Sequence, residues 1–429
     1  MTSSDLPERT DVIIVGGGII GVSAALWLAK KGVSVTLCEK GRIAGEQSSR
    51  NWGWCRTMGR DPVELPLAIE SLRLWGGIDA EIGGETGFCE SGIVYLCESR
   101  RELDAYEAWL EQARSLQVRA RLLGPAEVGQ MLPGSARRWA GALITPTDGR
   151  AEPHLAASAI AEGARRAGAT ILTACAVRGL ETTAGRVSTA VTERGRIDCS
   201  AVVLAGGAWS RLFCGNLGVD FPQLKVLGSV MRTAPLEGAP ELSVGGSDFS
   251  FRKRLDGGYT VARRNANVTE ITPDHFRLLF DFLPELTKNW RELRLRIGRR
   301  FVEEWNIPRR WPLDAASPFE AVRMLDPAPQ ETILEEGRAN LVRAFPVFKD
   351  VPIVDRWAGL IDVTPDAVPV ISPVASLPGF YLASGFSGHG FGIGPASGRL
   401  IADLVTGAPP IVDPAPFRFE RFARSRAAG

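Results

Sequence analysis

Val12-Ile13-Ile14-Val15 is an unbroken β-branched run, the pattern of a strand buried on both faces of a parallel sheet. Helical spacing takes over across Val22–Lys31, where Ala24, Ala25, Leu26, Leu28 and Ala29 are apolar. A second strand, Ser34–Cys38, ends at Glu39. Further along, Pro153–Ala167 reads as a helix, Ala169–Leu172 as a strand leading to Ala176-Val177, and Ala201–Leu204 as a buried strand ending in Ala205-Gly206-Gly207. Near the far end, strand Phe380–Ala383 opens into a glycine loop, Ser384–Gly394, followed by a predicted helix Pro395–Thr406 with Pro395 in its first turn. Between these blocks the pattern changes. Gly92–Leu96 and Tyr259–Ala262 read as strands, and Ile271–Leu295 as helical with an interruption near Pro284. Strands followed by helices suit an antiparallel sheet covered on one side.

The expected fold class is therefore α/β plus α+β: a Rossmann-like nucleotide-binding domain with a discontinuous antiparallel-sheet second domain. The boundaries expected are 1–90, 151–220 and 346–429 for the first, and 91–150 and 221–345 for the second. A chain of 429 residues fits such a division.

Composition narrows the function. Fifty basic residues balance 49 acidic ones, for a net charge of +1, so no single-sign field points to nucleic acid. No stretch approaches the ~20 apolar residues of a membrane helix, and Met1–Thr10 lacks a signal-peptide layout. Seven scattered cysteines without C-x-x-C spacing point to a reducing, cytoplasmic setting, and three histidines make a His-rich metal site improbable.

Gly16-Gly17-Gly18-Ile19-Ile20-Gly21 joins the first strand to the first helix. Gly16 permits the tight turn, Gly18 lets a pyrophosphate approach the backbone, and Gly21 lets helix and strand pack closely. The helix N-terminus offers N–H groups and positive potential to phosphates. Glu39, 18 residues past Gly21, is placed to accept hydrogen bonds from a ribose, and its charge would repel the extra phosphate of NADP. The second glycine loop repeats the strand–loop–helix arrangement. A helix dipole there suits the negative charge of a reduced isoalloxazine ring.

These blocks carry a likeness. The chain resembles FAD-dependent oxidoreductases of the D-amino acid oxidase/dehydrogenase and monomeric sarcosine oxidase group. The matching blocks are Gly16–Glu39, Trp357-Ala358-Gly359 to Thr364-Pro365-Asp366, and Gly388-His389-Gly390 with its helix; Ala205-Gly206-Gly207 and Glu46–Trp52 match more loosely. The resemblance implies FAD and a small amine or amino-acid substrate, whose C–N bond is oxidised to an imine by hydride transfer to flavin N5 and then hydrolysed. It implies that Gly16, Gly18, Ile19, Ile20 and Gly21 cradle the pyrophosphate and that Glu39 and Lys40 meet the adenosine ribose. Ser48, Ser49, Arg50, Asn51 and Trp52 would run along the pyrophosphate and flavin. Val177 would meet the adenine; Ala205, Gly206, Trp209 and Gly359 would complete the site, with Gly388, His389, Gly390, Phe391, Gly392 and Ile393 around the ring. His389, Arg56 and Trp54 are the candidate catalytic residues. Oxygen, a quinone or another carrier would reoxidise the flavin.

Departures from the family pattern are informative. Gly359 stands where some sarcosine oxidases tether the flavin through cysteine, and Asn51 and Trp52 where dimethylglycine-type relatives use histidine, so non-covalent FAD is expected. Ile361 and Asp362 occupy the place of a carboxylate-binding arginine, and Gly392 that of a lysine. Another arginine would then bind an anionic substrate: Arg56, Arg60, Arg232, Arg263 or Arg264, although each alone also reads as a solvated surface charge. Thr260 falls where sarcosine oxidases activate oxygen with lysine, which leans toward a dehydrogenase. Trp52, Trp54, Trp305 and Trp311 read either as a pocket or as packing, and Cys55 as a buried thiol. The Arg299-Arg300 pair and the Arg421–Arg426 cluster read as surface. A hydroxy-acid dehydrogenase and a flavoprotein subunit of a hetero-oligomer remain the alternatives; oligomeric state is left open.

Overall fold

The computed structural model describes residues 6–265, 267–289 and 293–422. Its first layer is a six-stranded sheet in the order Val370–Pro373, Phe380–Ser384, Ala201–Leu204, Val12–Val15, Val35–Cys38, Thr170–Leu172. All neighbours are parallel except the first pair. The central strand Val12–Val15 lies in register with Ala201–Leu204 on one side and Val35–Cys38 on the other. Burial on both faces explains its unbroken apolar sequence. Helices Ile19–Lys30, Pro153–Arg166, Leu65–Ile82 and Gly390–Thr406 pack together over this sheet. The first and last come close because Gly398 has no side chain; a Cβ there would lie 2.4 Å from Ser23 Cβ. A three-stranded antiparallel sheet, Val177–Thr183, Arg186–Thr192 and Gly195–Asp198, covers the other face.

The second layer is a ten-stranded mixed sheet. Tyr259–Ala262 is a strand as expected, and Ile93–Cys97 matches its prediction within a residue. The sheet is mostly antiparallel, but Ser243–Gly245 runs parallel to Ile93–Cys97, and Asn267–Glu270 parallel to Leu293–Arg296. Helix Glu331–Ala344 packs on it through Ile333, Leu334 and Leu341. The strand Ile353–Val363 pairs along Leu224–Thr233 in this sheet, although sequence grouped it with the nucleotide-binding segments. It crosses between the layers and delivers Ile361 and Asp362 to the loops of the first.

Two predicted helices need correction. Ile271–Leu295 is not one interrupted helix: helices Pro273–Arg277 and Leu279–Asn289 are separated at Leu278, and Leu293–Arg296 is a strand. Residues 290–292 lie outside the described residues. Pro284 sits inside the second helix, so the break is set by the turn at Leu278 instead. The last helix starts at Gly390, not Pro395, which lies in its interior. Proline removes a donor there, and side chains from Leu65–Ile82 brace the turn. Ser71 Oγ and Trp75 Nε1 each donate to the Gly392 carbonyl at 2.8 Å, and Ser71 Oγ accepts from Ala396 N.

Candidate functional site

The ends of the parallel strands open onto a long cleft. Gly16 has φ +111°, and a Cβ there would lie 2.4 Å from the Ala205 carbonyl. At Gly21 a Cβ would lie 2.0 Å from the Gly16 carbonyl. Glycine at these two positions is therefore a steric requirement of the turn. Gly18 caps helix Ile19–Lys30 without a side chain of its own; Ser48 Oγ accepts from Ile19 N at 2.9 Å, and the helix N-terminus still presents positive potential to an anion. Glu39 spans the cleft's far end: Oε2 accepts from Gly17 N and Oε1 from Gly41 N, both at 2.7 Å. Burial raises its pKa, and those two N–H groups oppose the shift.

Gly16, Gly18, Ile19, Ile20, Glu39 and Lys40 line the cleft, as do Ser48, Asn51 and Val177. Ala205, Gly206 and Trp209 continue the wall, and Gly388, Gly390 and Phe391 close the opposite end. Lys40 is already engaged: Nζ pairs with Glu46 at 2.7 Å, donates to the Val322 carbonyl and lies 4.5 Å from the Trp209 ring centroid. The remaining expected residues lie outside this cleft. Gly21 and Ile393 are buried behind it, and Ser49 Oγ donates to the Glu46 carbonyl. Gly359 lines neither cavity; a Cβ there would meet Gln47 Oε1 at 2.1 Å. Arg50 turns away to donate to the Ala358 carbonyl and pair with Asp326 at 2.8 Å.

A second cavity of about 360 Å³ adjoins the first. Gln47, Asn51, Ile361, Gly388 and Phe391 line both, so the two meet at the Gly388–Phe391 loop. Trp52, Trp54, Arg50, Arg56, Arg60 and Gly392 form one wall, with His389. Arg263 and Arg264 form another, with an apolar stretch of Leu227, Val230, Val268 and Ile333 between. No carboxylate lines this cavity among the described residues. Trp54 packs edge-on to Trp52 at 5.3 Å and against Tyr95 at 5.9 Å.

Arg232 lies elsewhere, beside Asp256 and Asp355 at 3.5 Å. Thr260 is buried in its strand, accepting from Arg254, outside both cavities. Trp311 packs on Phe319, and Trp305 is exposed and stacked on Phe301. Cys55 is buried, as expected, and burial raises its thiol pKa. Arg299 is exposed, but Arg300 is held by Glu304. Arg421 pairs with Asp366, and residues 423–426 of that cluster lie outside the described residues.

Three residues acquire roles that sequence did not supply. Glu64, fully buried, bonds His389 Nδ1 at 2.9 Å. Burial opposes its charge, but His389, Arg60 and Arg56 outweigh this and hold its pKa below the usual value. His389 is pushed down by burial and by Arg60, with Glu64 opposing. Asp362, where a substrate arginine was looked for, is a structural clamp. Its Oδ2 accepts from Gly385 N at 2.6 Å, Phe386 N at 3.3 Å and Ser384 Oγ at 3.2 Å, fixing the loop that leads to Gly388. Burial raises its pKa. Tyr95 lies between two guanidinium groups, Arg264 at 3.8 Å and Arg56 at 5.6 Å from its ring centroid. Glu64 gives no sequence signal, standing alone at a helix start 325 positions from its partner.

The family model for FAD dependent oxidoreductases matches residues 11–404. The chain belongs to that family. It is an FAD-dependent oxidoreductase, as the glycine cradles and Glu39 indicated. The L-amino acid deaminase of Proteus myxofaciens, solved in complex with anthranilate, is 36% identical with a TM-score of 0.95, over 98% of this chain and 95% of that one. Glycine oxidase of Pseudomonas aeruginosa is 27% identical, over 95% of this chain and 97% of that protein. Human mitochondrial sarcosine dehydrogenase is 25% identical over 99% of this chain, which spans only 42% of that protein's length. Among the described residues, no helix is long and apolar enough to cross a membrane.

The cleft fits FAD by its own geometry. Its backbone approaches exclude any Cβ at Gly16 and Gly21, the N-terminus of its first helix carries the side-chain-free Gly18 as cap, with Ser48 Oγ accepting from Ile19 N, and Gln47 Oε1 is buried without a partner where the two cavities meet.

Proposed function

We propose that this FAD-dependent oxidoreductase oxidises the C–N bond of an α-amino acid to an imine, which water hydrolyses to a 2-oxo acid and ammonia. The observation that carries the reading is the second cavity beside the flavin-side loop: five arginines line it, of which Arg50 is engaged by Asp326 and Arg56, Arg60, Arg263 and Arg264 remain to face a substrate, and no carboxylate lines it among the described residues. FAD, bound non-covalently in the cleft, would supply the two-electron acceptor for this oxidation, in which the substrate's C–H bond gives up a hydride and the nitrogen lone pair closes the C=N bond. The chain's own residues do the rest. An arginine fork holds the carboxylate, and Trp54 and Tyr95 wall the reacting end from water. Ionised Glu64 keeps the His389 proton on Nδ1, which leaves Nε2 an acceptor. From there His389 takes the proton of the incoming ammonium, so that the amine reacts neutral.

The names of the full-length relatives, a deaminase and a glycine oxidase, support nitrogen chemistry. The hydroxy-acid and subunit alternatives are not favoured. Anaerobic mixing of the purified holoprotein with amino acids and with the matching 2-hydroxy acids tests the reading. Bleaching of the flavin by amino acids, with colour released into the supernatant on acid precipitation, is expected. Bleaching by hydroxy acids alone, or by neither, overturns it.

A further inference from the structure

The second cavity has more arginine surface than one carboxylate can use. We propose that the substrate is a dicarboxylic amino acid, with one carboxylate held by Arg56 and Arg60 and the other by the Arg263–Arg264 wall. The inference rests on the amino-acid reading above and names the substrate class of that site.

The two arginine pairs come from separate parts of the chain. Arg56 and Arg60 follow the short strand Trp54–Cys55, and Arg263 and Arg264 follow the strand Tyr259–Ala262 of the large sheet. Tyr95 stands between them, with Arg264 and Arg56 each against its ring. A carboxylate has two oxygens and docks on one guanidinium fork, so one carboxylate serves one wall. The Arg263–Arg264 wall is partly satisfied within the protein: Arg263 faces Glu336 at 3.8 Å, and Arg264 donates to the Gly246 carbonyl at 3.1 Å.

The Arg56–Arg60 pair is satisfied less well. Among the described residues, neither has a carboxylate within ion-pair distance. Arg60 is 3% exposed, its Nη1 has no hydrogen-bond partner, and its Nε reaches only the Arg56 carbonyl at 3.5 Å. Arg56 donates to the Met58 carbonyl. Two carboxylates lie near, and neither bonds the pair. Asp148 accepts from Thr57 N and Oγ1 at 2.8 Å and from Met58 N at 3.0 Å; Glu64 Oε2 is taken by His389, while its Oε1 has no hydrogen-bond partner and does not reach either guanidinium. They balance the pair's charge at a distance without filling its donors. A buried guanidinium with an unmet donor is costly. Burial, then Arg56, push the Arg60 pKa down to about 9, and the charge of a bound anion would oppose that shift. A second carboxylate on the substrate is the group that fits.

Isosteric pairs test this on the holoprotein: L-glutamate against L-glutamine and L-aspartate against L-asparagine, in anaerobic flavin reduction and steady-state kinetics. A site whose buried donors require an oxyanion should favour the acid by about 10-fold or more in kcat/KM. Glutarate should perturb the flavin spectrum at about 10-fold lower concentration than butyrate. Arg60→Gln and, at the more accessible position, Arg56→Gln should each collapse the preference. Equal or better turnover of the amides, with glutarate binding no more tightly than butyrate, overturns the inference and leaves the amino-acid reading intact. If no amino acid reduces the flavin yet glutarate still binds preferentially, the dicarboxylate site stands and the amino-acid reading falls. If neither happens, both fall.

Discussion

Glu39→Gln isolates the residue that joins the two loops at the adenosine end of the cleft. The carboxylate accepts from Gly17 N on one oxygen and Gly41 N on the other, and it lines the cleft, so its remaining lone pairs can receive ribose hydroxyls. Glutamine keeps the size and one carbonyl, but its NH2 group must face one of those N–H donors. One charge-assisted bond is lost, worth about 1.5–3 kcal/mol. At about 1.4 kcal/mol per tenfold change, FAD should bind roughly 10- to 100-fold more weakly. Titrating apoprotein with FAD, followed by the change in flavin fluorescence, measures the effect. The same residue sets a pH dependence. Burial raises its pKa above the free value of about 4.3, so the apoprotein takes up this proton at a higher pH than an exposed carboxylate would. A protonated carboxyl, like the amide, has lost an acceptor. FAD affinity of the native protein should therefore fall on acidification, starting above the ordinary carboxylate range, while the Glu39→Gln variant loses that component. A dissociation constant within about threefold of native, or an unchanged pH dependence in the variant, refutes the reasoning.

Glu64→Gln should make the fold more acid-sensitive as pH falls below the unfolded histidine value of about 6.5. Buried His389 titrates below that value, so the unfolded chain protonates first and stability falls as pH drops below it. Removing Glu64 lowers the folded pKa further and prolongs the fall, at up to about 1.4 kcal/mol per pH unit. Urea midpoints of native, Glu64→Gln and His389→Asn proteins measure this, and parallel profiles for the first two would exclude the coupling. Gly21→Ala would place a Cβ 2.0 Å from the Gly16 carbonyl. The backbone must shift, and about 1–3 kcal/mol of overpacking strain should appear as a lower thermal midpoint and loss of FAD on gel filtration; purification with full flavin content would contradict it.

The cofactor cleft was legible in the sequence because backbone geometry dictates it. A turn at φ +111°, a carbonyl 2.0 Å from an imagined Cβ and a doubly buried strand each admit few residue types, so Gly16, Gly21 and Val12–Val15 announce themselves from composition and spacing alone. The same constraint explains the misplaced helix start. Pro395 suggests a first turn, yet Ser71 and Trp75 brace the Gly392 carbonyl and let the helix begin five residues earlier, and that bracing comes from a segment more than 300 residues away. The substrate cavity obeys a different rule. Its walls bring together Trp54 with Arg60, Tyr95, Arg263 and His389 from four separate stretches, and no local pattern ties one stretch to another. Sequence could nominate Arg56, Arg60, Arg263 and Arg264 only as members of a longer set, because an arginine's charge looks the same in solvent as in a cavity. What separates Arg60 from Arg232 is environment: one is buried with an unmet donor, the other partly exposed between two aspartates. On the proposed reading, specificity resides in the part that spacing cannot encode, and Arg56 and Arg60, more than the glycine loops, would decide which acid the enzyme takes.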